Sequence, residues 1–496
     1  MATSINALTQ AEYEIPNNLD DSASIDNFLL RNAGKKVVVI QGLGFVGAVM
    51  SLVCANAIDT EYAVIGVDLA NEDTFWKIKS INEGQFPLIA DDPKISEFFN
   101  RAREKDNFLA TYDPIVYAYA DVIIVDINLD VEKKSQKDDS LKSFDVDLSQ
   151  FKAAIKSIGV NCKEDALILV ETTVPPGTCE KVVSPIIESQ LKIRGLAVDK
   201  FRLGHSYERV MPGPEYIDSI REFPRVYSGN NLESADATES FLKTIIDVSK
   251  CELTRLEHTT ATEMAKVLEN SYRAMNIAFA VEWSRYAEEA KVDLYEIIDA
   301  IRVRKTHSNL MYPNIGVGGY CLTKDPLLAS WSRTNLFNSS SQLDMSINSV
   351  SNNDMMPSFA FDRLSEVFGS VCSKKVTFLG VSYRGDVGDT RYTPVEKLVT
   401  KIQKAGGLIE FHDPFVVFWE ELDKKVENNI YSALHKATDL MIFSTAHSIY
   451  RSSEVIEQIY AMKPMFIFDA VGVLNNEQIT LLGKKHTVSV LGRGDL

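Results

Sequence analysis

A glycine turn between an apolar strand and a helix is the feature that most limits how this chain can fold. Residues 35–40, KKVVVI, form a short β-branched run, and the turn after it leads directly into the helical pattern AVMSLVCAN. The turn reads Gly42-Leu43-Gly44-Phe45-Val46-Gly47. Its three glycines allow a tight turn, a close approach of the backbone to a pyrophosphate, and close helix packing. The pattern predicts a βαβ unit that binds a dinucleotide at the helix N-terminus.

An acidic residue at the end of the next strand indicates which dinucleotide is bound. The strand AVIGVD ends at Asp68, about 20 residues beyond Gly47, where a carboxylate can accept hydrogen bonds from both ribose hydroxyls. A carboxylate there favours NAD over NADP. The alternative is a glycine turn that only packs a helix on a strand. The candidate cofactor-binding residues are Gly42, Gly44, Phe45, Val46, Gly47 and Asp68.

Apolar strands alternate with helical segments through both halves of the chain. Strands such as DVIIVDI (121–127), ALILVETTV (166–174) and RVYSG (225–229) are apolar enough to predict a parallel sheet covered on both faces. The pattern starts again at KKVTFLGVSY (374–383) and ends with the strand MFIFDA. We therefore predict an α/β protein with two Rossmann-like doubly wound domains joined by a long central helix. The predicted boundaries are 1–33 for a polar N-terminal extension, 34–229 for the NAD-binding domain, 230–355 for a central helical domain and 356–496 for the C-terminal domain.

Size and charge limit the possible partners. The chain has 496 residues, which is longer than a single hydrophobic core usually supports, so several domains are expected. Its formal net charge of −17 argues against general nucleic-acid binding. The N-terminal segment lacks the features of a secretory signal, and no apolar run reaches the ~18 residues of a membrane span. These observations predict a cytoplasmic protein with no membrane partner. The charged stretch at 130–147 is most simply a solvated loop.

A long run without proline or glycine, from Thr259 to Arg302, predicts a domain-spanning helix. Helices of this length often carry a dimer contact. Lys266 and Asn270 are four residues apart and therefore share a face of this helix. A polar stripe of this kind is commonly just solvated, but apolar residues crowd the same turns and leave the stripe narrow.

The segment GVGGYCLTKD places Cys321 behind three glycines and shortly before Lys324 and Asp325. The six cysteines are scattered singly, so the sequence predicts neither a disulfide framework nor a metal site. A glycine-rich loop lets backbone pass close to a ligand, and a nearby ammonium favours the thiolate. The residues alone leave two alternatives for Cys321, a small buried core residue or a thiol placed for chemistry.

Five segments in this order resemble the UDP-glucose/GDP-mannose dehydrogenase family. They are ETTVPPGT (171–178), ERVMPG (208–213), AKVLENS (265–271), GVGGYCLTKD (316–325) and LGVSYRGDVGDTRYTP (379–394). The resemblance covers residues 35–475. It implies that a nucleotide sugar binds to the C-terminal domain and that its C6 alcohol is oxidised to a carboxylate with two NAD+. It also implies a homodimer or a higher homo-oligomer.

The resemblance also implies roles for individual residues. Cys321 corresponds to the nucleophile, Lys266 and Asn270 to the groups that stabilise oxyanions, and Thr173 to the threonine that helps to hold the catalytic water. Lys324 corresponds to a residue that reaches the cofactor, and Thr173 and Lys324 are the cofactor-binding residues that the resemblance adds to the glycine turn and Asp68. The implied catalytic residues are Cys321, Lys266, Asn270, Asp325, Glu208 and Thr173. The implied substrate-binding residues are Glu208, Lys266, Asn270, Gly318, Arg384 and Arg391, and Arg384 stands where lysine is frequent in the family.

The choice of substrate rests on one segment. ERVMPG resembles the UDP-N-acetylhexosamine branch of the family more than the UDP-glucose branch, and therefore favours a UDP-N-acetylhexosamine. Two other functions stay open. A two-electron hydroxyacid or 6-phosphogluconate-type dehydrogenase would use the same helical lysine and asparagine without a cysteine. A nucleotide-sugar-binding protein without turnover would not need the catalytic set.

Overall fold

A computed structural model describes residues 2–88, 92–207, 209–210 and 213–496. The chain forms two compact units. The first contains Met1–Asp130, Val146–Val267 and Trp331–Ser340. The second contains Val131–Asp145, Leu268–Ser330 and Ser341–Leu496.

The strands are numbered in chain order. They are β1 (Thr3–Ile5), β2 (Glu12–Glu14), β3 (Lys36–Gln41), β4 (Tyr62–Val67), β5 (Phe108–Thr111), β6 (Val122–Val125), β7 (Glu132–Ser135), β8 (Leu141–Asp145), β9 (Leu167–Val170), β10 (Arg202–Tyr207), β11 (Arg225–Gly229), β12 (Leu253–Arg255), β13 (Lys375–Leu379), β14 (Leu408–His412), β15 (Phe418–Trp419), β16 (Lys424–Lys425), β17 (Leu440–Phe443), β18 (Phe466–Asp469) and β19 (Thr487–Val490).

The α-helices are numbered in the same way. They are α1 (Ser22–Arg31), α2 (Phe45–Ala55), α3 (Phe75–Asn82), α4 (Pro93–Glu104), α5 (Ser149–Asn161), α6 (Ser184–Ile193), α7 (Tyr216–Arg221), α8 (Leu232–Ile245), α9 (Thr259–Ala290), α10 (Leu294–Arg302), α11 (Asp325–Asn335), α12 (Asp344–Phe368), α13 (Pro394–Lys404), α14 (Ile430–Leu434), α15 (Ser453–Ala461) and α16 (Asn476–Gly483). Within the described ranges, no helix is both long and apolar enough to cross a bilayer.

The first unit is built on an eight-stranded sheet with the order β12-β11-β10-β9-β6-β3-β4-β5. The central strand β3 pairs in parallel with β4 and β6, which confirms the predicted βαβ arrangement. The direction predicted for 225–229 is wrong, because β11 pairs antiparallel with β10. The six residues of α7 are too few to carry the chain back along the six-residue strand β10 for a parallel crossover.

The polar N-terminal segment packs on the first unit. β1 and β2 pair as an antiparallel hairpin, and α1 buries Ile25 and Phe28. The side-chain amide of Asn6 donates a buried hydrogen bond of 2.8 Å to Ser80 Oγ on α3.

The second unit is built on a five-stranded parallel sheet with the order β14-β13-β17-β18-β19. This sheet confirms the predicted second α/β pattern and extends it by β19. The strand β19, TVSV, is only four residues long, which is short for recognition from a residue pattern. The predicted polar segment at 339–353 is only partly a loop, because its residues from Asp344 onward belong to α12.

The predicted solvated loop at 130–147 is wrong. β7 and β8 form an antiparallel hairpin, and its side chains find partners on α12 and α13 of the same unit. Lys133 Nζ lies 3.0 Å from Asp354 Oδ2, and Lys401 Nζ lies 2.9 Å from Asp139 Oδ2. The partners are more than 200 residues away along the chain, so the local sequence cannot reveal them.

The predicted single helix over 259–302 is two helices. Lys291 adopts a left-handed conformation with φ of 57° after α9 ends. The carboxylate of Asp293 then accepts hydrogen bonds from the N–H groups of Tyr295 and Glu296 and caps α10. The break needs neither proline nor glycine, and for that reason the residue pattern does not show it.

Candidate active site

The glycine turn of the first unit has the shape that a dinucleotide cradle requires. Gly42 has φ of +104°, and a Cβ there would lie 2.3 Å from the carbonyl oxygen of Asp126. A Cβ at Gly47 would lie 1.9 Å from the carbonyl oxygen of Gly42. Both positions therefore demand glycine. Gly44 differs, since a Cβ there would meet nothing within 4 Å, and this open space leaves room for a pyrophosphate beside the backbone.

Helix α2 begins beside this open space. Gly44 is its N-cap and offers no side chain to cap the first N–H groups, while Phe45 and Val46 form the first turn. A helix N-terminus of this kind attracts an anion through its N–H groups and its dipole.

Asp68 lies directly after β4 and tightens the turn. Its two carboxylate oxygens accept hydrogen bonds from the N–H groups of Leu43, at 2.9 Å, and Leu69, at 2.8 Å. Burial raises the pKa of Asp68. Each oxygen keeps a lone pair for a ribose hydroxyl. The open space at Gly44 and the oxygens of Asp68 together fit NAD.

The loop 171–178 begins where β9 ends. Glu171 forms a buried ion pair of 3.3 Å with Arg225 on β11. The hydroxyl of Thr172 donates to the carbonyl oxygen of Val125 at 3.0 Å and accepts from the N–H of Ile127 at 2.8 Å. Thr173 follows and is half-buried. Among the described residues, none forms a hydrogen bond with its hydroxyl, which leaves that hydroxyl for water or a ligand.

Lys266 lies on α9 within the first unit and is buried. Its ammonium lies 5.4 Å from the centroid of the Tyr207 ring. The neighbouring His205 bonds through Nδ1 to Thr262 Oγ1 at 2.8 Å. Burial, followed by the charge of Lys266, lowers the pKa of His205 to about 3, so this imidazole stays neutral beside the ammonium. Glu208, the catalytic glutamate implied by the resemblance, lies outside the described residues.

Exposure separates Cys321 from most of the other cysteines. Cys321 and Cys372 are exposed, and Cys54, Cys162, Cys179 and Cys251 are buried. The buried-core alternative for Cys321 is therefore wrong. Burial raises the pKa of the Cys54 and Cys179 thiols, which keeps them protonated and unreactive.

Asp325 is the centre of a cluster in the second unit. The carbonyl oxygen of Cys321 accepts the N–H of Asp325 at 2.9 Å, which places Cys321 in the turn directly before α11. The fully buried carboxylate of Asp325 accepts from Asn270 Nδ2 at 2.6 Å and from Lys324 Nζ at 3.0 Å. The Lys324 ammonium also lies 4.5 Å from the centroid of the Tyr320 ring. Four of the predicted site residues are thus brought together.

The glycines before Cys321 contact the turn at 381–394. A Cβ at Gly318 would lie 2.6 Å from Tyr383 Cβ, so a larger residue would push this turn away. The N–H of Gly319 donates to the carbonyl oxygen of Arg391 at 3.2 Å. The guanidinium of Arg391 forms a two-pronged ion pair with Asp389. Arg384 is exposed on the same turn.

Two buried residues that the sequence reasoning missed support this turn. Asp413 Oδ2 accepts from the N–H groups of Val381, at 2.9 Å, and Ser382, at 3.1 Å, and from His447 Nε2 at 3.0 Å. Burial alone would raise the pKa of Asp413, but the hydrogen bond from His447 and those from backbone N–H groups together lower it. His447 Nδ1 in turn accepts the N–H of Asp386 at 2.9 Å. The only sequence signal is that Asp413 and His447 each follow a strand of the second sheet.

Three family models match successive parts of the chain. They describe the NAD binding domain of the UDP-glucose/GDP-mannose dehydrogenase family over 35–246, its central domain over 260–349 and its UDP binding domain over 377–476. The chain belongs to the UDP-glucose/GDP-mannose dehydrogenase family. The UDP-glucose/GDP-mannose dehydrogenase fold, the NAD cofactor and the nucleotide-sugar dehydrogenase class that were predicted from the sequence are thereby confirmed.

Similar proteins include two curated relatives and a solved structure. UDP-N-acetyl-D-mannosamine dehydrogenase from Methanocaldococcus jannaschii is 29% identical over 476 residues, which cover 93% of this chain and 97% of that protein. NDP-N-acetyl-D-galactosaminuronic acid dehydrogenase from Ralstonia nicotianae is 25% identical over 84% of this chain and 92% of that protein. A solved structure of the UDP-D-ManNAc dehydrogenase from Pyrococcus horikoshii matches with a TM-score of 0.75 and 25% identity. The match covers 93% of this chain and 100% of that chain.

Proposed function

We propose that this dehydrogenase oxidises the C6 hydroxymethyl group of a UDP-N-acetylhexosamine to a carboxylate, with Cys321 as the nucleophile of the second oxidation. The observation that carries the proposal is the exposed Cys321, whose backbone carbonyl accepts the N–H of Asp325, the centre of the cluster with Asn270 and Lys324. A two-electron dehydrogenase has no use for such a thiol, and a protein that only binds the sugar has no use for the buried polar cluster behind it.

The first oxidation converts the alcohol to an aldehyde. NAD+, when bound, accepts a hydride from C6 in each of the two oxidations. We assign to Thr173 and Glu208 the positioning of an ordered water that takes the hydroxyl proton and passes it to solvent. Lys266 and Asn270 stabilise the negative charge that develops on the oxygen, an effect typically worth ~3 kcal/mol per donor.

The second oxidation needs a nucleophile, because the aldehyde carbon must add a group before it can release a second hydride. The Cys321 thiolate forms a C–S bond to that carbon and gives a thiohemiacetal, and loss of hydride leaves a thioester. Water then breaks the C–S bond, releases the acid and restores the thiol. In total one water is consumed, two hydrides leave and three protons are released.

We assign cofactor binding to residues 34–229, the thiol chemistry to 230–355 and nucleotide-sugar binding to 356–496. Arg391 and Gly318 are proposed to bind the nucleotide sugar, because Gly318 packs closely against the turn at 381–394 and the neighbouring Gly319 N–H bonds the Arg391 carbonyl. Lys324 is proposed to reach the cofactor. Arg384 is proposed to meet the nucleotide sugar from its exposed position on the turn.

The N-acetylhexosamine preference rests on the ERVMPG segment and on the names of the similar proteins. It is tested by a panel of UDP-GlcNAc, UDP-ManNAc, UDP-GalNAc, UDP-glucose and GDP-mannose at equal concentration with NAD+. We expect kcat/KM for one of the three UDP-N-acetylhexosamines to exceed kcat/KM for UDP-glucose at least tenfold. Faster turnover of UDP-glucose or GDP-mannose would refute the preference.

We also propose that the protein is a cytoplasmic homodimer that pairs through α9. Phe279, Trp283 and Tyr286 are 52%, 45% and 60% exposed on this helix, and neighbouring rings lie 5.9 Å apart. An aromatic surface patch of this kind suits a self-complementary interface. Trp283→Glu should convert the dimer to monomer in light scattering coupled to gel filtration, while Leu30→Glu on α1 should not. An unchanged mass for Trp283→Glu would contradict pairing through this face.

A further inference from the structure

The loop 171–178 is held at its far end by a buried carboxylate of α9. Glu263 is 1% exposed, and its oxygens accept the N–H groups of Gly177 at 2.5 Å and Cys179 at 2.7 Å. These are two short charge-assisted bonds from one side chain to the backbone of one loop. Glu263 lies one helical turn before Lys266, and no feature of the sequence pattern marks it.

The near end of the same loop is held separately. Thr172 is bonded to the backbone after β6, as described above. Between the two anchors, Pro175 and Pro176 have fixed φ angles, which makes the loop stiff. The carbonyl oxygen of Pro176 also accepts a hydrogen bond of 2.6 Å from Ser332 Oγ. Thr173 therefore lies on a rigid span whose position depends on both ends.

We propose that Glu263 is a positioning residue for the oxidation, and that as a carboxylate it fixes the loop that presents Thr173 to the catalytic water. The proposal rests on the proposed function through the role of Thr173. Glu263 touches neither substrate nor cofactor in this scheme and acts only through the loop backbone.

The protonation state of Glu263 changes near neutral pH. Burial raises its pKa to about 7, although the bonds from Cys179 and Gly177 oppose the rise, and the charge of Glu180 adds to it. The titratable groups that act on it are thus the buried Cys179 thiol and the Glu180 carboxylate, while Ser332 and Phe337 contact the loop from the segment 331–340. Below about pH 7 the neutral acid carries an O–H, so one of the two N–H donors faces a donor and loses its acceptor. We therefore expect the loop to loosen as the pH falls through 7.

The test compares Glu263→Gln in the full-length protein with wild type and with Glu289→Gln, an exposed glutamate of the same helix. Wild type and E289Q should both lose kcat as the pH falls below about 7. E263Q copies the neutral acid at every pH, so its kcat should be about 10- to 100-fold lower at pH 8 and should lack this acid limb, with KM for NAD+ changed less than about twofold. An E263Q enzyme with wild-type kcat and the wild-type acid limb would overturn the proposal.

Hydrogen exchange of the wild-type protein is a second test of whether ionised Glu263 fixes the loop, and it requires neither a variant nor an activity measurement. After correction for the intrinsic pH dependence of exchange, the amides of Gly177 and Cys179 should be protected at pH 8 and at least tenfold less protected at pH 6. Equal protection at both pH values would overturn the proposal. If wild type forms no NADH from any nucleotide sugar, the proposed function fails, and the exchange result still decides whether ionised Glu263 fixes the loop.

Discussion

Asp325 shows how a single buried charge organises the candidate active site at the scale of residues. Its carboxylate, fully buried at the start of α11, binds both the Asn270 amide and the Lys324 ammonium. A buried carboxylate is tolerated only when such partners surround it. The same contacts fix the orientation of Asn270, which must donate to an oxyanion in the proposed chemistry.

Asp325→Asn should destabilise the protein strongly. It leaves the Lys324 ammonium, 4% exposed, without its counter-charge, and breaking a buried ion pair in this way typically costs about 3–5 kcal/mol. Urea unfolding of D325N and of the double variant K324M/D325N would measure this. The double variant should recover part of the loss, because it removes the stranded charge. A D325N protein as stable as wild type would show that the pair is not formed.

Cys321→Ser tests the nucleophile directly. The serine hydroxyl lacks a thiolate, so formation of the uronic acid should fall about 10³-fold or more, while NAD+ binding is retained. Cys372→Ser is the matched control, since Cys372 is the other exposed cysteine of the second unit. Mass spectrometry of the sugar product distinguishes acid from aldehyde and alcohol. An unchanged rate of acid formation in C321S would rule out Cys321 as nucleophile.

At the scale of elements, the hairpin of β7 and β8 is the clearest addition to the predicted fold. It leaves the first unit after β6, contributes two strands to the second unit and returns to the first at Val146. The turn residue Asp139 accepts from Ser358 on α12 and pairs with Lys401 on α13. Burial opposes the effect, but these contacts lower the pKa of Asp139. The hairpin is thus held to its unit chiefly by polar contacts.

Asp139→Asn should loosen this hairpin by a modest amount, since asparagine removes the charge but tolerates the left-handed backbone at this position, with φ of 65°. The pair with Lys401 is about one-quarter to one-third exposed, so the expected loss of unfolding free energy is about 1 kcal/mol, and it should shrink in 1 M salt. Asp138→Asn is the control, because Asp138 is a neighbouring exposed residue whose bonds to described residues stay within the turn, to Ser140. Urea titrations at low and high salt measure the difference. A salt-independent loss would contradict an ionic attachment.

The elements that the sequence predicts well are those with a clear local residue pattern. KKVVVI, its glycine turn and Asp68 define β3, α2 and β4 without long-range information. β10 escapes prediction because Gly204, His205 and Ser206 look like loop residues, yet they are buried beside α8 and α9. The hairpin at 131–145 is not predicted for a different reason. Its charged residues suggest a solvated loop, but they pair with residues of α12 and α13 that are far away along the chain.

At the scale of the whole molecule, the residues of the proposed reaction are found in both units. The first holds the NAD cradle, the loop with Thr173 and the buried Lys266. The second holds Cys321, the Asp325 cluster and the turn with Arg391. Sequence motifs identify the residues of each part, because glycine turns and a glycine-flanked cysteine leave local patterns. The supporting residues Glu263, Asp413 and His447 do not, because their task is defined only by the backbone N–H groups that the fold brings to them.

The number of NADH molecules formed for each nucleotide sugar consumed tests the central claim most directly. Purified protein is incubated with excess NAD+ and a limiting amount of the preferred UDP-sugar, and the NADH absorbance is compared with the sugar lost by chromatography. A thiol that carries the aldehyde to the acid predicts a ratio of two. A ratio of one, with the aldehyde as the product, would contradict it.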